Sequence, residues 1–269
     1  MSNKAKVIVV TGVSSGIGRT TAQMFSQKGC EVFGTVRSLE KAKPICGVEL
    51  VEMDIRDEES IQRAIKAIIA KAGHIDVLIN SAGVTLLGAT EESSVAEAKT
   101  LFDTNVWGLL RMIQAVLPHM REQKSGRIVN ISSVLGFLPA PYMGLYAASK
   151  HAVEALSETL DHEVRGFGIR VALVQPSFTK TNLDVNAPQA VCSILAYDTD
   201  RRTVSQAIQK NVQKAPMPDG VAATVVEAAL GAWKMRHTPK GEASLLRKLR
   251  RFMPARPVDA GIRKIFGIK

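Results

Sequence analysis

Cysteine is scarce in this chain: Cys30, Cys46 and Cys192 are an odd number in 269 residues, far apart and without a C-x-x-C pair. Such spacing argues against a disulfide framework or a cysteine zinc site and suits a reducing cytosol. The five histidines (His74, His119, His151, His162, His237) show no ligand spacing and are expected to be structural, so no metal is expected. No apolar run reaches the roughly 18 residues of a membrane span. The opening MSNKAK leads directly into VIVVTG, too short an apolar run for a signal peptide, and the expected setting is cytoplasmic. Repeats and low-complexity linkers are also missing, so residues 1–269 are expected to form a single domain.

What is present is an ordinary globular composition, 46% hydrophobic and 22% charged. The net charge of +10 is unevenly spread: residues 232–269 carry eleven Lys or Arg against Glu242 and Asp259, which is +9 of the total. A basic tail, not a basic domain, has to be explained, and no nucleic-acid partner is expected.

β-Rich apolar runs recur at 7–11, 31–36, 48–53, 76–80, 127–132 and 170–175, separated by stretches of helical period. In IQRAIKAIIAKAG, for example, Ile61, Ile65, Ile68 and Ile69 share a face. Alternating strands and helices predict an α/β fold, a doubly wound (Rossmann) parallel sheet with helices on both faces. Residues 182–217 break the rhythm and read as a helical insertion near the carboxyl ends of the strands, where ligands bind in such sheets.

The first run enters TGVSSGIGRT, residues 11–20, between a strand and a helix. Gly12, Gly16 and Gly18, with Ser14, Ser15 and Ile17 between them, allow a tight turn and close approach of a pyrophosphate to the helix N-terminus. At the end of the second strand, where users of NAD carry an acid, the chain has Arg37 and Ser38. A cation and a hydroxyl there suit a 2′-phosphate, with Arg19 as a second cation, and the cofactor expected is NADP(H). In YAASK, Tyr146 and Lys150 are one helical turn apart and can reach one ligand.

The ordered motifs TGVSSGIG, MDI (53–55), NSAG (80–83), Asn105 in TNVWG, NISS (130–133), YAASK and PSFTKT (176–181) resemble the short, single-domain branch of the short-chain dehydrogenases/reductases, over roughly residues 5–235. The resemblance implies a hydride-transferring oxidoreductase with Asn105, Ser133, Tyr146 and Lys150 as its catalytic set. It implies cofactor contacts at Asp54, Ile55, Asn80, Ala82, Gly83, Pro176, Thr179 and Thr181, besides the glycine turn, Arg37, Ser38, Tyr146 and Lys150. Ser81 and Ser177 depart from the family pattern, which has Asn and Gly at those places. Asn105 is implied to hold a water that links Lys150 to solvent.

Within that scheme Tyr146 protonates the oxygen that hydride transfer leaves charged. A phenol with pKa about 10 needs a neighbouring cation, and a fall of two to three units corresponds to about 3–4 kcal/mol. Ser133, thirteen residues before Tyr146, is expected to polarise the carbonyl, and pleat alternation turns its neighbour Ser132 to the other face. Apolar VLGFLPAPYM and VTLLG are expected to border the pocket under the 182–217 lid, which favours a bulky apolar carbonyl or alcohol of the steroid or retinoid type. The alternatives are a 3-oxoacyl-carrier-protein reductase and a non-catalytic NADP-binding redox sensor. A homodimer or homotetramer is expected.

In the basic extension, 236–269, Leu245, Leu246, Leu249, Phe252 and Met253 form an apolar stripe beside Arg247, Lys248, Arg250 and Arg251. Pro254 and Pro257 are expected to interrupt the helix, after which Val258, Ile262, Ile265 and Phe266 repeat the spacing. Either this segment packs on the domain or a second subunit, or residues 243–269 meet an anionic membrane.

Overall fold

The computed structural model describes residues 5–181, 183 and 187–268. All six expected β-rich runs are strands: β1 (Val7–Val10), β2 (Glu31–Val36), β3 (Val48–Glu52), β4 (Val77–Asn80), β5 (Gly126–Ile131) and β6 (Ile169–Val174). A seventh, β7 (Arg236–His237), is two residues long and carried no sequence signal. The sheet order is β3-β2-β1-β4-β5-β6-β7 and every pairing is parallel. Chain order therefore reverses between β1 and β4, and the crevice at that switch point is the natural ligand site.

The α-helices given by the described residues are α1 (Gly16–Gln27), α2 (Glu58–Ala72), α3 (Val95–Phe102), α4 (Leu109–Glu122), α5 (Gly144–Val164), α6 (Asp198–Lys214), α7 (Asp219–Leu230), α8 (Glu242–Phe252) and α9 (Ala255–Phe266). One face of the sheet meets α2, α4 and α5, whose Ile61, Ile65, Ile68, Met112 and Val153 are buried with Leu78 and Ile128. The other meets α1 and α7 around Phe25, Ile8, Ile79 and Val225. Each such aliphatic or aromatic side chain contributes about 1.5–3 kcal/mol on burial. Strands covered on both faces explain the unbroken apolar runs.

Helix α5, which carries Tyr146 and Lys150, is fixed at two levels. In its middle, Asn80 Nδ2 donates to Asn130 Oδ1 (2.9 Å), Asn130 Nδ2 donates to Ser157 Oγ (2.8 Å), and Ser157 Oγ donates to Val153 O. Near its end the buried Asp161 carboxylate accepts from Arg165, Arg170 and the Val171 N–H, tying the helix to β6. Burial alone would raise the Asp161 pKa, but the hydrogen bonds from Arg170 and Val171 hold it below the ordinary carboxylate range.

The insertion and the tail lie over the carboxyl ends of the strands. Of the expected lid, Asn182 and residues 184–186 fall outside the described residues; the rest includes α6, whose Val204, Ile208 and Val212 are buried with Phe266 of α9. The expected tail stripe is split. Leu246 turns inward, whereas Leu245 (56% exposed), Leu249 (37%) and Phe252 (78%) face outward. Pro257 does not break a helix: it occupies the first turn of α9, where no intrahelical N–H bond is lost.

Replacing Asp161 by Ala strands the Val171 N–H and removes the anchor of both arginines. The expected loss is about 2–3 kcal/mol, read by urea denaturation. Because the Asp161 pKa is depressed, this contribution is present above the unfolded value, about pH 4, and fades as the pH falls below it. Asp161→Ala should therefore flatten the acid limb of the stability curve.

Candidate active site

At the start of α1, Ser15 is extended and makes no side-chain cap, so the first-turn N–H groups have no side-chain acceptor. The turn is closed by contact. A Cβ on Gly18 would lie 2.5 Å from the Gly12 carbonyl oxygen, and one on Gly12 (φ 72°) would lie 2.8 Å from Ala82 Cα. Thr11 Oγ1 accepts from the N–H groups of Ser81 and Ala82, both at 3.0 Å, and so locks the end of β1 to that of β4. Only backbone fits here, and the N–H groups left over suit a pyrophosphate.

Beyond the turn, Arg37, Asp54, Ile55 and Arg56 line the same cleft. Arg37 is exposed and enters no hydrogen bond or ion pair among the described residues. Arg56, immediately after MDI and overlooked in the sequence, forks onto Asp54 through Nε (3.1 Å) and Nη2 (2.7 Å). That hydrogen bond chiefly, and Arg37 at longer range, hold the Asp54 carboxyl below its ordinary pKa. Other expectations shift. Arg19 is spent on the carbonyls of Lys43 (2.9 Å) and Pro44 (2.7 Å), not on the cleft. Ser38 does not line the cleft, and Asn80 sits behind it, bonded to Asn130. Ser14, Ser15, Gly16, Ile17, Ala82, Gly83, Pro176, Thr179 and Thr181 all reach the wall.

At the centre of the cleft Ser133, Tyr146 and Lys150 come together. Tyr146 is 6% exposed, and Lys150 Nζ lies 5.8 Å from its ring centroid. Lys150 Nζ donates to Ile131 O at 2.9 Å. Burial pulls the Lys150 pKa down to about 8, while Glu154, one turn further along α5, pushes it upward. Glu154 is itself held by Gln175 Nε2 (3.0 Å to both oxygens) and by Arg236 of β7 (3.2 Å). Ser133 Oγ accepts from Leu135 N (3.1 Å), which fixes it at the head of a short 3-10 turn. Asn105 lies in a π-helical turn, Asp103–Gly108, of the kind that often accompanies functional sites. Its amide exchanges two 2.8 Å bonds with the Val84 backbone and donates to Ser149 Oγ (3.1 Å).

From this point the cleft, about 920 Å3 in all, becomes apolar, with Leu86, Leu138, Met143, Phe178, Leu246 and Phe266 on its wall. Carboxylates latch the insertion over it. Buried Glu92 accepts from Ile194 N (2.9 Å) and pairs with Arg201, and Glu97 accepts from Val191 N (2.9 Å). The tail's share in this wall was not legible, because periodicity gives the faces of a helix but not what each face meets.

A glycine turn at the switch point of a parallel sheet, opening into a buried Ser–Tyr–Lys cluster, defines a dinucleotide-type oxidoreductase site. The chain belongs to the short chain dehydrogenase family, whose model matches residues 6–191. It is 42% identical to the 3-ketodihydrosphingosine reductase of Bacteroides thetaiotaomicron over 181 residues, 67% of this chain and 66% of that one, slightly under two thirds of the relative's length. Among solved structures it resembles a short-chain dehydrogenase from Streptomyces avermitilis (33% identity, TM-score 0.81, covering 98% of this chain and 96% of that one). It also resembles one from Burkholderia phymatum in complex with NAD (27% identity, TM-score 0.78, 93% of each chain). Neighbours thus include complexes with NAD and, in the structure named ElxO, with NADP. No helix among the described residues is long and apolar enough to cross a membrane.

The electrostatics of Lys150 can be read without any substrate. Followed by carbon NMR of the lysine side chains, Lys150 should titrate near pH 8, below the ordinary lysine value. Glu154→Gln removes the carboxylate that raises it, so the midpoint should move to lower pH; an unchanged midpoint would show that Glu154 does not act on it.

Proposed function

We propose that this chain is an NADP(H)-dependent oxidoreductase that interconverts a ketone and a secondary alcohol on a bulky, apolar substrate, with Tyr146 as acid–base group. The observation that carries this reading is the enclosed Tyr146–Lys150 pair, 5.8 Å from ring to ammonium, where the glycine-turn cleft meets the apolar chamber. The residues fit a dinucleotide: a backbone cradle at Gly12, Gly16 and Gly18, Arg37 beside Asp54 and Ile55, and Thr179 and Thr181 on the opposite wall. Arg37 supports NADP over NAD, because a guanidinium with no hydrogen bond or ion pair among the described residues is suited to a 2′-phosphate. When bound, the nicotinamide supplies or accepts the hydride.

The chain's own residues handle the proton. In the reductive direction Tyr146 gives its phenolic proton to the carbonyl oxygen, and in the oxidative direction it takes one from the alcohol. The Lys150 ammonium lowers the cost of the resulting phenolate and is charged below about pH 8. Ser133 Oγ, held by the Leu135 N–H, is free to donate its own proton to the substrate oxygen. Asn105 fixes Val84 at the chamber's edge and, through Ser149, the turn of α5 that carries Tyr146, so its role is positioning.

The chamber's aliphatic and aromatic wall supports a lipid-like substrate, and the name of the Bacteroides relative, a 3-ketodihydrosphingosine reductase, supports reduction of a ketone. Two substitutions test the reading. Tyr146→Phe should lower kcat by about 10²–10⁴ while leaving NADPH binding intact. Arg37→Ala should erase most of a preference for NADPH over NADH of at least about tenfold, near 1.4 kcal/mol, in equilibrium titrations. Equal affinities of the unaltered protein for the two cofactors would refute the assignment of Arg37.

A further inference from the structure

Helix α8 has two occupations. Its inner side closes the cleft: Ala243 is buried, Leu246 lines the chamber, and Arg250 Nε donates to Phe137 O (3.3 Å). Its outer side shows Leu245, Leu249 and Phe252, spaced i, i+4, i+7 and 56%, 37% and 78% exposed. Within one helical turn, apolar surface therefore runs from Leu249 and Leu245 outside to Leu246 inside. The mouth beside it continues the patch, since Leu183, Val191 and Ile265 line the cleft and are also exposed. A soluble surface rarely gathers large apolar side chains around the opening of an apolar cavity without an interaction to serve.

Charge decides what covers this face. Residues 243–269 hold eight Lys or Arg and one acid, Asp259, a net +7. Among the described residues, Arg247, Lys248, Arg256, Arg263 and Lys264 enter no ion pair. A second copy placed by a two-fold axis would set this cationic face against itself, which is repulsive. An anionic surface meets both requirements, charge and apolar contact.

We infer that α8, with the mouth formed by Leu183, Val191 and Ile265, docks on a membrane surface rich in anionic lipid, so that substrate passes between the bilayer and the chamber without crossing water. Leu245, Leu249 and Phe252 enter the acyl boundary while the flanking cations meet lipid phosphates. The inference extends the apolar-substrate reading, but its test requires neither cofactor nor turnover. Removing the whole segment would be uninformative, because it would also strip buried Phe266 from the domain.

The full chain is sedimented with phosphatidylcholine vesicles, with and without phosphatidylglycerol, at low salt and at about 0.5 M NaCl. The docking face predicts binding that requires phosphatidylglycerol and falls at least about tenfold in high salt. Leu249→Asp and the double variant Arg247→Glu/Lys248→Glu lie outside the cleft and should each lower vesicle partition at least about tenfold while keeping the parent circular dichroism. The inference is overturned by absence of pelleting with anionic vesicles, by equal pelleting with neutral ones, or by binding that survives both variants. It is likewise overturned if Leu249→Asp abolishes a dimer seen in sedimentation, which would assign the face to a second copy. NADPH oxidation with ketones, measured without vesicles, reads the oxidoreductase assignment separately.

Discussion

An ammonium buried without a carboxylate in direct contact among the described residues is the constraint around which this structure is built. Lys150 is 7% exposed, and it donates to a backbone carbonyl, Ile131 O, at the carboxyl end of β5. Desolvation depresses its pKa to about 8, so the charge near neutral pH persists only while the surroundings hold it there. Glu154 supplies the long-range compensation, and Arg236 of β7 holds Glu154 in turn. The Asn80–Asn130–Ser157 chain and the Asp161 anchor serve the same end, because a shift of α5 along β5 would separate Nζ from its acceptor.

Chemistry follows from that placement. On the proposed reading, the cation one turn from the phenol favours the phenolate and so the release of its proton, and the glycine turn opens on the same cleft. The close approach of Gly12 to Ala82 and of Gly18 to Gly12 leaves only backbone at the turn, as binding of a pyrophosphate there would need. The insertion, latched by Glu92 and Glu97, and the tail supply much of the apolar wall beyond it.

The fold was largely legible because each strand is a short apolar run between helices of clear period: β2 spans 31–36 as expected, and the other expected strands differ from their runs by a residue or two at an end. The central cluster was legible because its residues sit in motifs at fixed spacing from strand ends. What escaped was set by tertiary contact alone. Two residues of β7 carry no period, and their pairing depends on β6. Arg56 advertised itself only by following Asp54 at i+2, and Arg19 pointed to the phosphate site by charge but found carbonyl partners at Lys43 and Pro44. In α8 the stripe was visible, but not its division between Leu246 within and Leu249 without.

The measurement closest to the central claim is oxidation of NADPH, followed at its absorbance, across a panel of ketones, aldehydes and acyl thioesters graded by chain length and ring content. The account predicts turnover of ketones that rises with apolar bulk until the chamber, about 920 Å3 with the cofactor cleft included, is filled. No oxidation with any ketone, or oxidation confined to acyl thioesters, would contradict it.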